Sequence, residues 1–120
     1  MPTDTTTDRP AGDGDAGWWV QRGMTWTRRS KYAAAIEAFD RALDVEPDSA
    51  EALLGRGNAF YALARYDEAL AAYDRAVQAA PDRPAPYLAR SNALTALGRT
   101  EEAAVAFARA MDLRFRRNRE

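Results

Sequence analysis

An all-α solenoid of three antiparallel helix hairpins is the fold the sequence predicts, and three observations predict it. The segment FDRALDVEPD at 39–48 returns as YDRAVQAAPD at 73–82 and, weakened, as FARAMDLRFR at 107–116, a step of 34 residues each time. A fixed step of this size marks a stack of small units, none of which can bury its apolar face alone. Each copy carries two apolar patterns at helical spacing around a short break, and no stretch alternates with the period of two that a half-buried strand shows. Alanine, the best helix former, occurs 27 times in 120 residues.

The copies run over 16–49, 50–83 and 84–117, which places the folded domain at 16–117, a tail at 1–15 and a short C-terminal end at 118–120. Residues 1–15 offer Thr, Asp, Gly and Pro and little to bury, and Asp4, Asp8, Asp13 and Asp15 outnumber Arg9. A solvated, acidic, disordered tail is expected there. Asp13 and Asp15 also stand just before the first helix, where negative charge suits the dipole. Helices are expected near 16–29, 32–45, 49–63, 67–79, 84–97 and 101–115. In the second copy Leu53, Gly57, Phe60 and Ala64 share one helical face, Arg65-Tyr66 makes the break, and Ala69, Tyr73, Ala76 and Val77 form the second face. Pro47 and Pro81 close the second helices of the first two copies. Pro84 and Pro86 fit a first turn, where a missing N–H costs little. Asp48 with Glu51 has capping-box spacing, and Asp67 and Thr100 are candidate N-caps.

The composition excludes several functions. Lys and Arg number 17 against 18 Asp and Glu, a net charge of −1, which argues against a general binder of nucleic acid or anionic membrane. There is no Cys and no His, which removes disulfides, Cys/His zinc sites, thiol nucleophiles and Ser–His or Cys–His catalytic pairs. The neighbouring carboxylates Asp67-Glu68 and Glu101-Glu102 diverge by about 100° on a helix, so neither forms an acid–base pair across a substrate. Gly55-Arg56-Gly57 lies inside a helix and is a packing feature, and Asp13-Gly14-Asp15 lacks the terminal bidentate Glu of a calcium loop. No enzyme activity, cofactor or metal is expected. No apolar run of 18 residues would span a membrane, and the cytoplasm is the default location. Arginine occurs 16 times and lysine once, at Lys31; codon bias in a GC-rich genome and a functional arginine code both remain open.

The residues at the repeat positions carry a family resemblance. The first copy reads Trp19, Arg22, Gly23, Trp26, Ala35, Phe39, Ala42 and Pro47. The second reads Leu53, Arg56, Gly57, Phe60, Ala69, Tyr73, Ala76 and Pro81, and the third Tyr87, Arg90, Ser91, Leu94, Ala103, Phe107, Ala110 and Phe115. This series resembles the tetratricopeptide repeat (TPR), with two departures: Arg22, Arg56 and Arg90 replace an apolar residue, and Phe115 replaces the closing Pro. The resemblance implies a right-handed superhelical stack of six helices and a protein-interaction role. Gly23 and Gly57, with Ala35, Ala69 and Ala103, are expected to let the two helices of a hairpin approach. Trp26, Phe60, Phe39, Tyr73 and Phe107 are expected to fill the space between hairpins. Substituting Gly57 with leucine should therefore overpack the closest contact.

The first helix of each hairpin should line the concave side, where TPR proteins usually hold a peptide. By position, one row there is Val20, Leu54 and Leu88, a second Met24, Asn58 and Asn92, a third Thr27, Tyr61 and Thr95, and a rim Gly17, Glu51 and Ala85. The first row makes an apolar floor. An asparagine amide both donates and accepts, so Asn58 and Asn92 can pair with a peptide backbone of any sequence; they can equally be plain surface residues. TPR domains that grip the C-terminal carboxylate of Hsp70 or Hsp90 use Lys, Asn and Arg here, whereas this chain has Val20, Met24, Gly55, Ala85 and Ala89. That argues against a chaperone-tail clamp; Arg28 is the nearby groove cation.

Two pairings are open for the repeated arginines: with the acid of their own hairpin, or with that of the preceding one. In the second case Asp40–Arg56 and Asp74–Arg90 are complete, and Ala108 needs no acid. At the C-terminal end five arginines face Asp112 and Glu120 over 109–120, read either as a basic patch or as a helix end suited to cations. The second helix of the third copy carries Met111, Leu113, Phe115 and Arg116, expected as an uncovered apolar strip with an arginine rim. Two functional readings follow: a non-catalytic module that binds an extended peptide or a partner helix in its groove, or a structural assembly unit that docks through this end, as a homodimer or onto a partner subunit. A nucleic-acid accessory role rests on the arginine tail alone.

Overall fold

The structure, a computed structural model, describes residues 15–119, with side chains as far as Arg116. The expected tail lies outside the described residues except for Asp15, as do the side chains of the 118–120 end. Six helices follow in order: α1 Ala16–Arg28, α2 Tyr32–Val45, α3 Ala50–Ala62, α4 Tyr66–Ala79, α5 Pro84–Ala96 and α6 Thr100–Arg119. They pair as α1/α2, α3/α4 and α5/α6, and the pairs join through α2 on α3 and α4 on α5. The stack measures 57 × 36 × 22 Å.

Each hairpin turns the same way. The middle turn residue adopts a left-handed backbone at Ser30 (φ 60°), Ala64 (φ 61°) and Gly98 (φ 79°), spaced by the repeat step. The next residue's N–H then returns to the last turn of the first helix: Lys31 to Trp26, Arg65 to Phe60 and Arg99 to Leu94, at 2.8–2.9 Å. This closure satisfies carbonyls that the helix leaves open. Serine and alanine tolerate that conformation poorly, so the turn was visible in the sequence only at Gly98. The break in the second copy accordingly ends at Arg65, and Tyr66 is already helical.

The caps need correction. Ser49, not Asp48, caps α3, its hydroxyl accepting from Ala52 N–H at 3.2 Å. Asp67 lies in the first turn of α4, which starts after Arg65, and Thr100 is already helical. Both helix starts use an arginine–glutamate fork instead: Arg65 with Glu68 at 2.7 Å and Arg99 with Glu102 at 2.8 Å. The Arg99 guanidinium holds the Glu102 carboxyl below its usual range. Asp15 does cap α1, accepting from Gly17 N–H at 2.9 Å.

The glycines make room for rings rather than for backbones. A Cβ on Gly23 would fall 2.6 Å from the Phe39 ring, and one on Gly55 would intrude on the same ring from the next hairpin. Phe39, 1% exposed, is therefore wedged between α1 and α3. Tyr73 fills the equivalent place beside Gly57. Phe107, expected in the same role, is 48% exposed, because no described residue covers α6 as α3 covers α2. Trp26 is half-buried rather than fully packed. With Phe115 in place of Pro, α6 runs four residues past the expected end.

Each arginine pairs with the acid of the preceding hairpin: Arg56 Nε lies 2.5 Å from Asp40 Oδ1, and Arg90 Nε 2.5 Å from Asp74 Oδ1. Arg22, with no preceding hairpin among the described residues, stacks over Trp18 at 5.0 Å. These pairs are about a third to a half exposed, so water screens them. A double-mutant cycle on Asp74→Ala and Arg90→Ala should give a coupling of about 0.5–1 kcal/mol in urea unfolding; zero coupling would show that the pair decorates the junction without holding it.

Candidate functional site

Successive first helices touch one another, α1 with α3 and α3 with α5, whereas α2, α4 and α6 make no mutual contact. The first helices thus stand on the tighter side of the stack. Their faces away from the hairpin cores form the candidate groove.

Met24, Thr27, Arg28, Leu54 and Asn58 come together there around a cavity of about 290 Å³, with Phe39, Glu51 and Gly55 completing the wall. Leu88, Asn92, Thr95 and Tyr61 lie on α3 and α5 but do not line this cavity. Met24 is 43% exposed and Leu54 half-buried, so apolar surface faces solvent. Val20, expected in the open floor, is buried in the first core cluster with Phe39 and Ala35. It reaches a neighbouring cavity, of about 370 Å³, that Met24 and Glu51 share. The rim residues Gly17, Glu51 and Ala85 are exposed.

Phe39 is the lining residue that sequence reasoning gave to the core alone. Lacking a Cβ, Gly55 lets the Phe39 ring reach the cavity wall from behind. The signal was there: glycine at 55 and alanine at 89 stand at one repeat position, each beside an aromatic of the preceding second helix.

The polar groups are already partly committed. Thr27 turns its hydroxyl back onto the Gly23 carbonyl at 2.8 Å. Asn58 accepts from the Tyr73 hydroxyl at 2.6 Å, which fixes the amide and leaves its NH₂ to donate outward. Asn92 has no such tie, since its repeat carries Phe107 in place of tyrosine. Tyr61 packs edge-on against Tyr66 at 5.1 Å. Arg28 and Glu51 are the charged side chains at the cavity, of opposite sign, so its field is nearly neutral.

Burial, and secondarily the nearby Tyr61, pushes the Tyr73 hydroxyl above its ordinary value. Ionising it costs more in the folded chain than in the unfolded one. Its contribution to stability is therefore complete below about pH 10, the unfolded value, and falls as the pH rises beyond that. Tyr73→Phe should flatten this alkaline loss while costing about 1 kcal/mol at neutral pH for the hydrogen bond. An unchanged alkaline slope in thermal melts would contradict the assignment.

Of the expected docking residues, Phe115 (56% exposed) and Arg116 are open and Met111 is half-buried. Leu113 is 6% exposed and belongs to the core of its own hairpin, because it sits on the side of α6 that faces α5. Arg116 donates to Asp112 at 2.6 Å. No helix among the described residues is long and apolar enough to cross a membrane.

The family profile of the tetratricopeptide repeat matches residues 28–84. No curated protein matches the chain by sequence. Among solved structures, MamA superposes with a TM-score of 0.84 at 22% identity over 88% of this chain; the chain spans 62% of that one. The second TPR of Spaghetti (RPAP3), solved bound to the HSP90 peptide SRMEEVD, superposes at 0.80 with 24% identity, covering 88% of this chain and 99% of that one. The type III secretion translocator chaperone SycD of Yersinia enterocolitica, in an alternative dimer, superposes at 0.78 with 18% identity over 92% of this chain and 77% of its own. Identities this low speak for the fold.

Proposed function

The chain is a tetratricopeptide-repeat protein, and on that premise we propose that it is a non-catalytic interaction module that holds an extended peptide or a partner helix along α1, α3 and α5, in the cytoplasm. The observation that carries this reading is the cavity between α1 and α3, where exposed Met24 and half-buried Leu54 stand beside the fixed Asn58 donor. The apolar wall favours side-chain burial, and the amide supplies a backbone hydrogen bond. Leu88, Asn92, Thr95 and Tyr61 extend the contact toward α5.

The character of the peptide follows from the groove charge. The RPAP3 domain was solved with an acidic peptide. Here Val20, Met24, Gly55, Ala85 and Ala89 put no cation where a carboxylate clamp would need one. The segment held is uncharged and apolar, with Arg28 and Glu51 accommodating at most one charge of each sign at its edge.

Affinity capture with the full chain from a lysate of its source cells, followed by mass spectrometry, tests this. Leu54→Arg/Asn58→Ala should lose the partners that the wild-type chain recovers while circular dichroism shows it still folded at the capture temperature; its melting temperature falls, because Asn58→Ala removes the bond to Tyr73 and Leu54 packs against the core. Recovery of the same partners by both baits removes the groove reading.

A second reading is supported by the open side of α6. Phe107 and Phe115 are both about half exposed, more aromatic surface than a helix leaves in water without a use. This end is an assembly surface, and it can coexist with an occupied groove.

A further inference from the structure

The open side of α6 has two templates within the molecule. At the 34-residue step, Ala104, Phe107, Ala108, Met111 and Phe115 stand where α2 carries Ile36, Phe39, Asp40, Leu43 and Pro47. On α2 that side is an interface: Phe39 meets Gly55, Asp40 binds Arg56, and Ile36 packs against the core clusters on either side. The α4–α5 junction repeats it through Asp74 and Arg90. On α6 the same side is open, with Ala104, Phe107, Ala108 and Phe115 exposed and Met111 half-buried.

A further repeat in register does not fit this side. Ala108 offers no carboxylate to an incoming arginine, and α6 runs on to Arg119 where the step from Ala79 predicts an end at Leu113. Head-to-tail stacking of a second copy fits no better. It would set Gln21 where Gly55 and Ala89 sit at the internal junctions, and Trp18 where Ala52 and Pro86 are buried.

What does fit is α6 itself. Residues 104, 108, 111 and 115 fall within a strip about 60° wide. The N-terminal half of the strip is small, Ala104 and Ala108; the C-terminal half is large, Met111 and Phe115. Two such helices laid antiparallel about a two-fold axis between residues 109 and 110 set each Phe115 against the second copy's Ala104 and each Met111 against its Ala108. The flank agrees. In that register Glu101 falls two residues, about 3 Å along the helix, from level with the second copy's Arg116, and Asp112 the same from its Arg109, a gap these side chains span, so acids meet arginines on one side of the seam. In the single chain Asp112 already holds Arg109 at 3.4 Å and Arg116 at 2.6 Å, so these groups lie on one flank of α6.

We propose that α6 is a self-complementary dimer seam, a second copy of this chain covering the strip through isologous small-to-large pairing. The proposal rests on the assembly reading above and names its occupant. A seam of one helix pair is at the small end of stable interfaces, and association in the micromolar range is expected.

The test is sedimentation equilibrium of the full chain from about 5 μM to about 500 μM. The wild type should pass from monomer to dimer. Ala104→Phe sets two phenylalanines against each other and should weaken the dimer about tenfold or more, as should Phe115→Ala. The double variant Ala104→Phe/Phe115→Ala restores one large and one small residue at each contact and should recover affinity to within about threefold of wild type. Both positions are exposed, so circular-dichroism melts of the diluted monomers should coincide. A dimer indifferent to Ala104→Phe, or a double variant as weak as the single ones, overturns the seam. A strict monomer overturns the second copy as occupant. The assembly reading itself then survives only if a captured partner is lost on Phe115→Glu, and fails if that substitution changes nothing.

Discussion

Phe39→Ala is expected to destabilise the chain by about 3–5 kcal/mol, the largest effect of any single truncation in the stack. The ring is 1% exposed and touches both neighbours of its helix, filling the space over Gly23 on α1 and over Gly55 on α3. Neither glycine has a side chain that could collapse into the hole. Removing the ring therefore opens a cavity across the first junction and uncouples α1/α2 from the rest. Urea unfolding should show the loss, and amide exchange should place it, with α1 and α2 exchanging faster than α4 and α5. Phe107→Ala is the internal control. It truncates the same repeat position with half the ring already in water, and should cost about 1 kcal/mol or less in the monomer. Equal losses from the two would mean that burial between hairpins is not what holds the stack together.

Gly57→Leu is expected to cost about 3 kcal/mol or more, at the upper end of overpacking effects. A Cβ at Gly57 would meet the Tyr73 ring closer than real carbons approach. That ring cannot swing aside freely, because it is 2% exposed and its hydroxyl is held by Asn58 at 2.6 Å. The helix propensity gained, about 0.8–1 kcal/mol, offsets only part of the strain. The damage should reach the groove, since Asn58 loses its anchor along with Tyr73. Adding Tyr73→Ala to Gly57→Leu should recover part of the stability, whereas additive losses would mean that the two residues do not collide.

The fold was legible because its information is periodic. Three copies at one step place the helices, the aromatic wedges and the arginine–aspartate pairs together, and Ala108 pointed to the correct pairing by breaking the pattern in the last described hairpin. What escaped was set by single residues. Asp48 and Ser49 both make good caps, and only the backbone path decides that Ser49 is the one used. The left-handed turns at Ser30 and Ala64 carry no glycine to announce them. Leu113 counts as apolar in any tally, but its angle on α6 turns it toward α5. The groove was legible as rows of residues and not as a cavity. Its wall depends on the Phe39 ring reaching through the gap at Gly55, a contact between two copies that neither copy shows alone.

The most direct measurement of the peptide-holding face is photo-crosslinking. A benzophenone amino acid placed singly at Met24 and at Asn92 samples the two ends of the groove, and the same group at Ala71, exposed on α4, samples a second helix. If α1, α3 and α5 hold the partner, the Met24 and Asn92 probes should capture the same protein in cells and the Ala71 probe should not. Capture from Ala71 with none from Met24 or Asn92 would place the binding surface elsewhere and contradict the groove.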